Sequence, residues 1–208
     1  MSVMGELSAD KETFEKILLS TEREGIEDLL KYLESTDFYT APGSTKYHDS
    51  EPGGLLHHSL NVYSNLVRFE KLFEGMYSDD TLKIVGLLHD VCKANFYKLI
   101  TKQLPKRGSD GKIIPNPYGG KIWEDSMMYI IEDQFPLGHG EKSVILIQKY
   151  IRLTDAEIFA IRWHMLAFDD LHGTYAGNIA ISGAAAKHPL IVLTHIADLS
   201  ASFLKVRL

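Results

Sequence analysis

A chain of 208 residues with 45% hydrophobic and 24% charged content is large enough for one domain with a continuous core, which excludes a generally disordered polypeptide. A formal net charge of −6 excludes a broad basic field for gripping nucleic acid and leaves room only for a local basic pocket. The single cysteine, Cys92, excludes an intrachain disulfide. With no signal-like N-terminus and no apolar run of membrane-spanning length, a cytoplasmic protein without membrane contact is expected.

In chain order, residues 12–19 and 25–33 carry helical spacing and predict two short opening helices. Residues 36–54 are rich in Gly, Pro, Ser, Thr and Asp and predict a long ordered loop of the kind that often serves function. Residues 55–73 are apolar at helical intervals. Asp79 or Asp80 is the expected cap of the next helix, which reaches about Lys93. From Asn95 to Pro136 the helical pattern stops. Prolines 105, 115 and 117, the turn Ser109-Asp110-Gly111 and β-like runs at 97–101, 113–114 and 128–131 predict an inserted β-hairpin. Helices resume at 140–151 and at 155–167, the latter with Thr154 and Glu157 forming a capping box. A last long helix is expected from about Pro189 to Leu204.

Nine histidines beside one cysteine direct attention to a nitrogen and oxygen metal site. In the 55–73 helix, His58 shares a stripe with Leu55, Val62, Leu66 and Phe69 and points inward. His57 aligns with Asn61, Ser64 and Arg68 and points to solvent or the rim. A core histidine satisfied by ordinary hydrogen bonds explains His58 taken alone. His89-Asp90 ends a very apolar run, where adjacent ionisable groups are costly unless paired or coordinated. Gly86 lets another helix come close, and Lys93 shares the face of His89 and Asp90, placed for a phosphate oxygen. Cys92 is expected to point elsewhere, as a core thiol. His195 and Asp198 face one way within the apolar run 190–203, and a buried Asp198 needs a cation or a salt bridge.

The ordered set Gly53-Gly54-Leu55-Leu56-His57-His58-Ser59-Leu60-Asn61-Val62, Leu87-Leu88-His89-Asp90-Val91-Cys92-Lys93 and His195-Ile196-Ala197-Asp198 resembles the HD superfamily of metal-dependent phosphohydrolases over roughly residues 40–201. The resemblance implies a single all-α domain over 1–208, with N-terminal helices in 1–36 and an HD helical core in 37–208 interrupted by the insert at about 95–136. It implies that His58, His89, Asp90 and Asp198 hold a divalent ion, of Mn, Fe, Ni, Co, Zn or Mg. Such an ion polarises a phosphoryl oxygen and lowers the pKa of its water to about 7. Asp90 then orients the water and Lys93 contacts phosphate.

His139 and His164 resemble second-metal ligands of two-metal HD phosphodiesterases, though Met165 stands where a His-His pair is common. They either complete a second ion site or bind phosphate, so one or two ions are expected. The positive end of the helix after Gly138 should favour the neutral form of His139. The loop 41–48 looks like the matching stretch of 3′-to-5′ exoribonucleases that join an OB-fold to an HD domain, an OB-fold this chain has no room for. In it, Lys46 and His48 line the pocket or stabilise the loop. Trp123, Tyr118 and Tyr129 either stack on a base or pack within the hairpin, which is anchored beside the proposed metal and placed to roof the pocket. The expected activity is hydrolysis of a phosphomonoester or phosphodiester in a nucleotide or short oligonucleotide. The alternatives are an exonuclease-like enzyme and a non-catalytic metal-containing binding or sensing module.

Overall fold

The structure is a computed structural model that describes residues 3–45, 49–73 and 75–204. Two N-terminal helices, α1 (Val3–Leu19) and α2 (Ile26–Glu34), lead into a loop that begins at residue 35. After it come α3 (Gly54–Glu70), α4 (Asp79–Leu88), strands β1 (Tyr97–Pro105) and β2 (Trp123–Ile131), then α5 (His139–Ile147) and α6 (Asp155–Trp163). The chain closes with α7 (Tyr175–Lys187) and α8 (Leu190–Phe203). The architecture is mostly helical, with one two-stranded antiparallel sheet inserted between α4 and α5. No single described helix is long and apolar enough to cross a membrane.

Helix α3 lies at the centre, packed on α4 along one side and on α8 along another, while α6 touches α4, α5 and α8. Leu55, Leu56, Val62 and Leu66 of α3 meet Ile84, Leu87 and Leu88 of α4 in a continuous buried core. Phe14 of α1 and Phe38 of the loop join it, with ring centroids 5.3 Å apart. Gly86 is what allows α4 so close to α3: a Cβ there would stand 2.6 Å from the Tyr63 Cα. The approach expected at Gly86 is therefore made, and its partner is α3.

Helix α6 starts as its capping box dictates, with the Thr154 hydroxyl accepting from the Glu157 amide and the Glu157 carboxylate accepting from the Thr154 amide. Glu157 is fully buried, and both its oxygens accept from Arg23 at 2.8 Å, which ties α6 to the turn before α2.

Several boundaries differ from the sequence expectations. Helix α1 begins nine residues earlier than the apolar spacing marks (Val3 against residue 12). Ser78, not Asp79 or Asp80, caps α4: its hydroxyl accepts from the Thr81 amide, and the two aspartates occupy the first turn, where negative charge is favoured. Helix α4 stops at Leu88 rather than near Lys93, because Asp90 leaves helical geometry (φ −108°, ψ 20°) before a short 3-10 turn over Val91–Lys93. Helices α5 and α6 each end four residues early (Ile147 against 151, Trp163 against 167). Helix α7 was not expected at all. Its buried positions are only Gly177, Ile181 and Ala184, too few and too small to leave a periodic signal.

The expected hairpin is present and longer than its β-like runs. Tyr97 pairs with Ile131 and Pro105 with Trp123 in unbroken register, and isolated bridges at Arg107–Ile113 and Pro115–Lys121 extend the ribbon. Among the described residues no helix makes extensive contact with either strand, and most strand residues are exposed or half-exposed. Along its length the ribbon is largely solvent-facing, so the roof expected over the pocket is not seen among the described residues. Its base is tied down: Asn95 and Asp37 exchange side-chain-to-amide hydrogen bonds, and buried Lys142 of α5 pairs with Asp133 and lies over the Phe96 ring.

Candidate metal centre

Six side chains from five places in the chain converge between α3, α4, α5, α6 and α8. His58 is on α3, His89 and Asp90 follow α4, His139 opens α5, His164 ends α6 and Asp198 is on α8. Their ligand atoms form three overlapping groups, His58/His89/Asp90, His89/His164/Asp198 and Asp90/His139/His164, each with atoms within 4.8 Å of one another. The imidazoles form a row, His58–His89–His164–His139, with centroids 5.4, 5.0 and 5.2 Å apart. His58, His89, Asp90 and His164 are all buried, at 2% exposure or less.

Local structure aims these groups. The Nδ1 of His89 lies 3.0 Å from the Gly86 carbonyl, and that of His164 lies 2.8 Å from the Ile161 carbonyl. A carbonyl only accepts, so in each ring Nδ1 carries the hydrogen and Nε2 presents a lone pair. Both Nε2 atoms are buried without a hydrogen-bond partner, and the carboxylate of Asp90 stands 3.5 Å from one and 3.6 Å from the other. Lone pairs facing a carboxylate oxygen repel unless a cation lies among them, so these residues could hold a metal ion. His195 donates from Nδ1 to the His164 carbonyl at 2.7 Å, and so ties α8 to the end of α6. At Gly140 a Cβ would stand 2.1 Å from the Arg162 carbonyl oxygen, and this close approach of α5 to α6 lets His139 meet His164.

Asp90 divides the site. Its Oδ2 lies 2.6 Å from Lys93 Nζ, 3.5 Å from His89 Nε2 and 3.8 Å from His58 Nε2. Its Oδ1 lies 2.7 Å from His139 Nε2 and 3.6 Å from His164 Nε2. Burial works against charge on Asp90, but Lys93, His89 and His139 outweigh it and hold the carboxyl well below its ordinary range. Burial keeps His89 neutral, at about 3. His58 is 3.1 Å from the Asp198 carboxylate, which with Asp49 overcomes burial and raises the imidazole to about 9. Asp198 is lowered by the same contact, against the effect of burial.

Lys93 lies beside the cluster, as its spacing indicates, but its ammonium pairs directly with Asp90. His57 is exposed and turned to Asp49, outside the cluster. His139 departs from expectation. Burial opposes its charge, yet Cys92 and the Asp90 oxygen raise it well above its ordinary value, overriding the helix end that was expected to keep it neutral. Cys92 does not point elsewhere: its sulfur lies 3.3 and 3.7 Å from the two ring nitrogens of His139.

Trp123 is not brought to the cluster, being eight pairs along the ribbon from Tyr97, roughly 26 Å at strand rise. Tyr118 is almost fully exposed beyond it. Tyr97 is the ribbon residue beside the site: burial, opposed by Lys93, pushes its hydroxyl up to about 12. Lys46 and His48 lie outside the described residues. Sequence reasoning passed over Asp49, whose place near His57 and His58 follows from loop geometry that no motif announces. No protein-family model matches the chain, and no curated protein or solved structure is significantly similar to it.

Proposed function

We propose that the chain is an HD-type metal-dependent phosphohydrolase whose substrate is a phosphoester of a nucleotide or short oligonucleotide. One observation carries this reading: four histidines and two aspartates converge in a buried cluster with Lys93 at its edge. A purely structural ion needs about four ligands and no adjacent ammonium. The surplus of ligands and the lysine favour a catalytic centre over a binding or sensing module.

His58, His89, Asp90 and Asp198 would hold the first ion. Asp90 Oδ1, His139 and His164 would complete a second position, with Asp90 shared between the two. A divalent ion bound there supplies Lewis acidity and acidifies water. Asp90, kept ionised by its neighbours, accepts a hydrogen bond from the attacking water and aligns it. Lys93, whose ammonium lies 2.6 Å from Asp90 Oδ2, would transfer part of its ion pairing from Asp90 to a phosphoryl oxygen as charge builds there. With only the first ion bound, His139, the most exposed of the four imidazoles and in contact with Asp90 through Nε2, is instead placed to donate a proton to a departing oxygen.

The test is a panel of mononucleotides, dinucleotides and generic phosphoesters offered to metal-stripped protein reconstituted separately with Mn²⁺, Fe²⁺, Co²⁺, Ni²⁺, Zn²⁺ or Mg²⁺. Hydrolysis that appears with metal and vanishes in Asp90→Asn is the expected result. Stoichiometric metal binding with no turnover across the panel would favour the sensing module.

A further inference from the structure

We propose that Asp49 is the positioning residue of His58, standing behind the ring so that Nε2 faces the cluster. The inference rests on the metal-centre reading above and adds a residue outside the ligand set. His58 Nε2 lies 3.1 Å from Asp198 and 3.8 Å from Asp90, which makes it the nitrogen that meets an ion. On the opposite edge of the ring, Asp49 Oδ2 lies 3.7 Å from Nδ1, while Asp49 Oδ1 is 3.4 Å from Nδ1 of His57. The carboxylate thus spans two adjacent histidines, one buried and one exposed. About an ångström of movement brings it to charge-assisted hydrogen-bond length on His58. A hydrogen held on Nδ1 by that carboxylate leaves the Nε2 lone pair for the ion, and a carboxylate partner makes the imidazole a stronger donor.

The loop is built to hold Asp49 there. Asp49 adopts a left-handed conformation, φ 51°, which Asp enters more readily than most residues. Its carbonyl accepts from the Gly43 amide at 2.7 Å. A Cβ on Gly54 would stand 2.0 Å from that same carbonyl oxygen, so only glycine at the first position of α3 lets the helix begin against Asp49. Tyr97 at the ribbon base reaches the Gly43 carbonyl at 3.5 Å, on the other side of the same loop. His89 and His164 take their Nδ1 partners from backbone carbonyls that no substitution removes. At His58 the group facing Nδ1 is a side-chain carboxylate, so its contribution can be measured.

The experiment uses Asp49→Gly, which deletes the carboxylate while suiting the left-handed backbone, and Asp49→Asn, which keeps an acceptor oxygen in place. Co²⁺ affinity is read from the visible d–d bands during titration of the stripped 208-residue chain, with the unfolding midpoint of each metal-free variant as a folding check. Asp49→Gly should weaken Co²⁺ binding by about 10- to 100-fold and alter the band envelope, at a midpoint close to wild type. Asp49→Asn should recover most of the affinity. Wild-type affinity and spectrum in a folded Asp49→Gly protein would overturn the positioning role and leave the metal centre standing. An Asn variant as weak as the Gly variant would also overturn it, by showing that an acceptor oxygen placed behind the ring does not position His58. Absence of Co²⁺ binding by the wild type would instead remove the metal centre itself.

Discussion

At the scale of single residues, changes at Asp90 and Lys93 would separate the proposed metal retention from the proposed turnover. Asp90 contributes one oxygen to each half of the cluster, so Asp90→Asn should lose bound metal and all hydrolysis. Lys93→Ala should keep its metal, measured by elemental analysis, while kcat/KM falls about 100-fold. Metal loss on removing Lys93, with retention on changing Asp90, would reverse the assigned roles. The proton balance of the metal-free protein gives a second test. His58 is raised from 6.5 to about 9, so its contribution to stability is full below 6.5 and is lost as pH rises through about 9. The Tm of chelator-stripped protein should therefore fall between about pH 7 and 9, and His58→Gln should flatten that fall. A fall of equal size in the variant would mean that another group carries it. The inward stripe of His58 and the outward stripe of His57 were legible because helix periodicity fixes direction. Asp49 and the Cys92–His139 contact were not, since both arise where the chain leaves regular geometry.

At the scale of elements, the sequence signals worked where a cap or a broad apolar stripe marks a helix. The Thr154/Glu157 box is present as its spacing indicates, and α3 and α8 lie within a few residues of their apolar patterns. Helix α7 escaped notice because Gly177, Asn178 and Gly183 lower helix propensity and its contacts are small. Thr174, whose hydroxyl caps the Gly177 amide, was the available clue. The break after Leu88 also has no periodic signature, yet it turns Asp90 toward both halves of the cluster. Glu157 shows how an element's start is tied to the rest of the fold. Removing its bidentate partner by Arg23→Ala leaves a fully buried carboxylate short of a cation, which should cost about 3–5 kcal/mol in denaturant unfolding. A cost below ~1 kcal/mol would show that Thr81 and the Thr154 amide satisfy Glu157 without it.

At the scale of the whole molecule, a helical body carries the cluster and an exposed ribbon carries none of it. Lys98 and Ile130 are direct partners across the ribbon, so a short Gly-Ser link can replace residues 99–129 without moving the ribbon base. That protein should keep its helical circular dichroism, its metal content and its rate on a small generic phosphodiester. Its ratio of nucleotide to generic turnover should also be unchanged, because Trp123 lies far along the ribbon. A drop in that ratio would show that the ribbon reaches the substrate. The central claim is that the four histidines and two aspartates form one metal centre, and anomalous diffraction from crystals grown with Mn²⁺ tests it most directly. The account predicts one or two peaks inside the cluster, roughly 2.0–2.3 Å from Nε2 of His58 and His89 and from oxygens of Asp90 and Asp198. A cluster with no anomalous peak, its His89 and His164 Nε2 atoms joined only by ordered water, would contradict it.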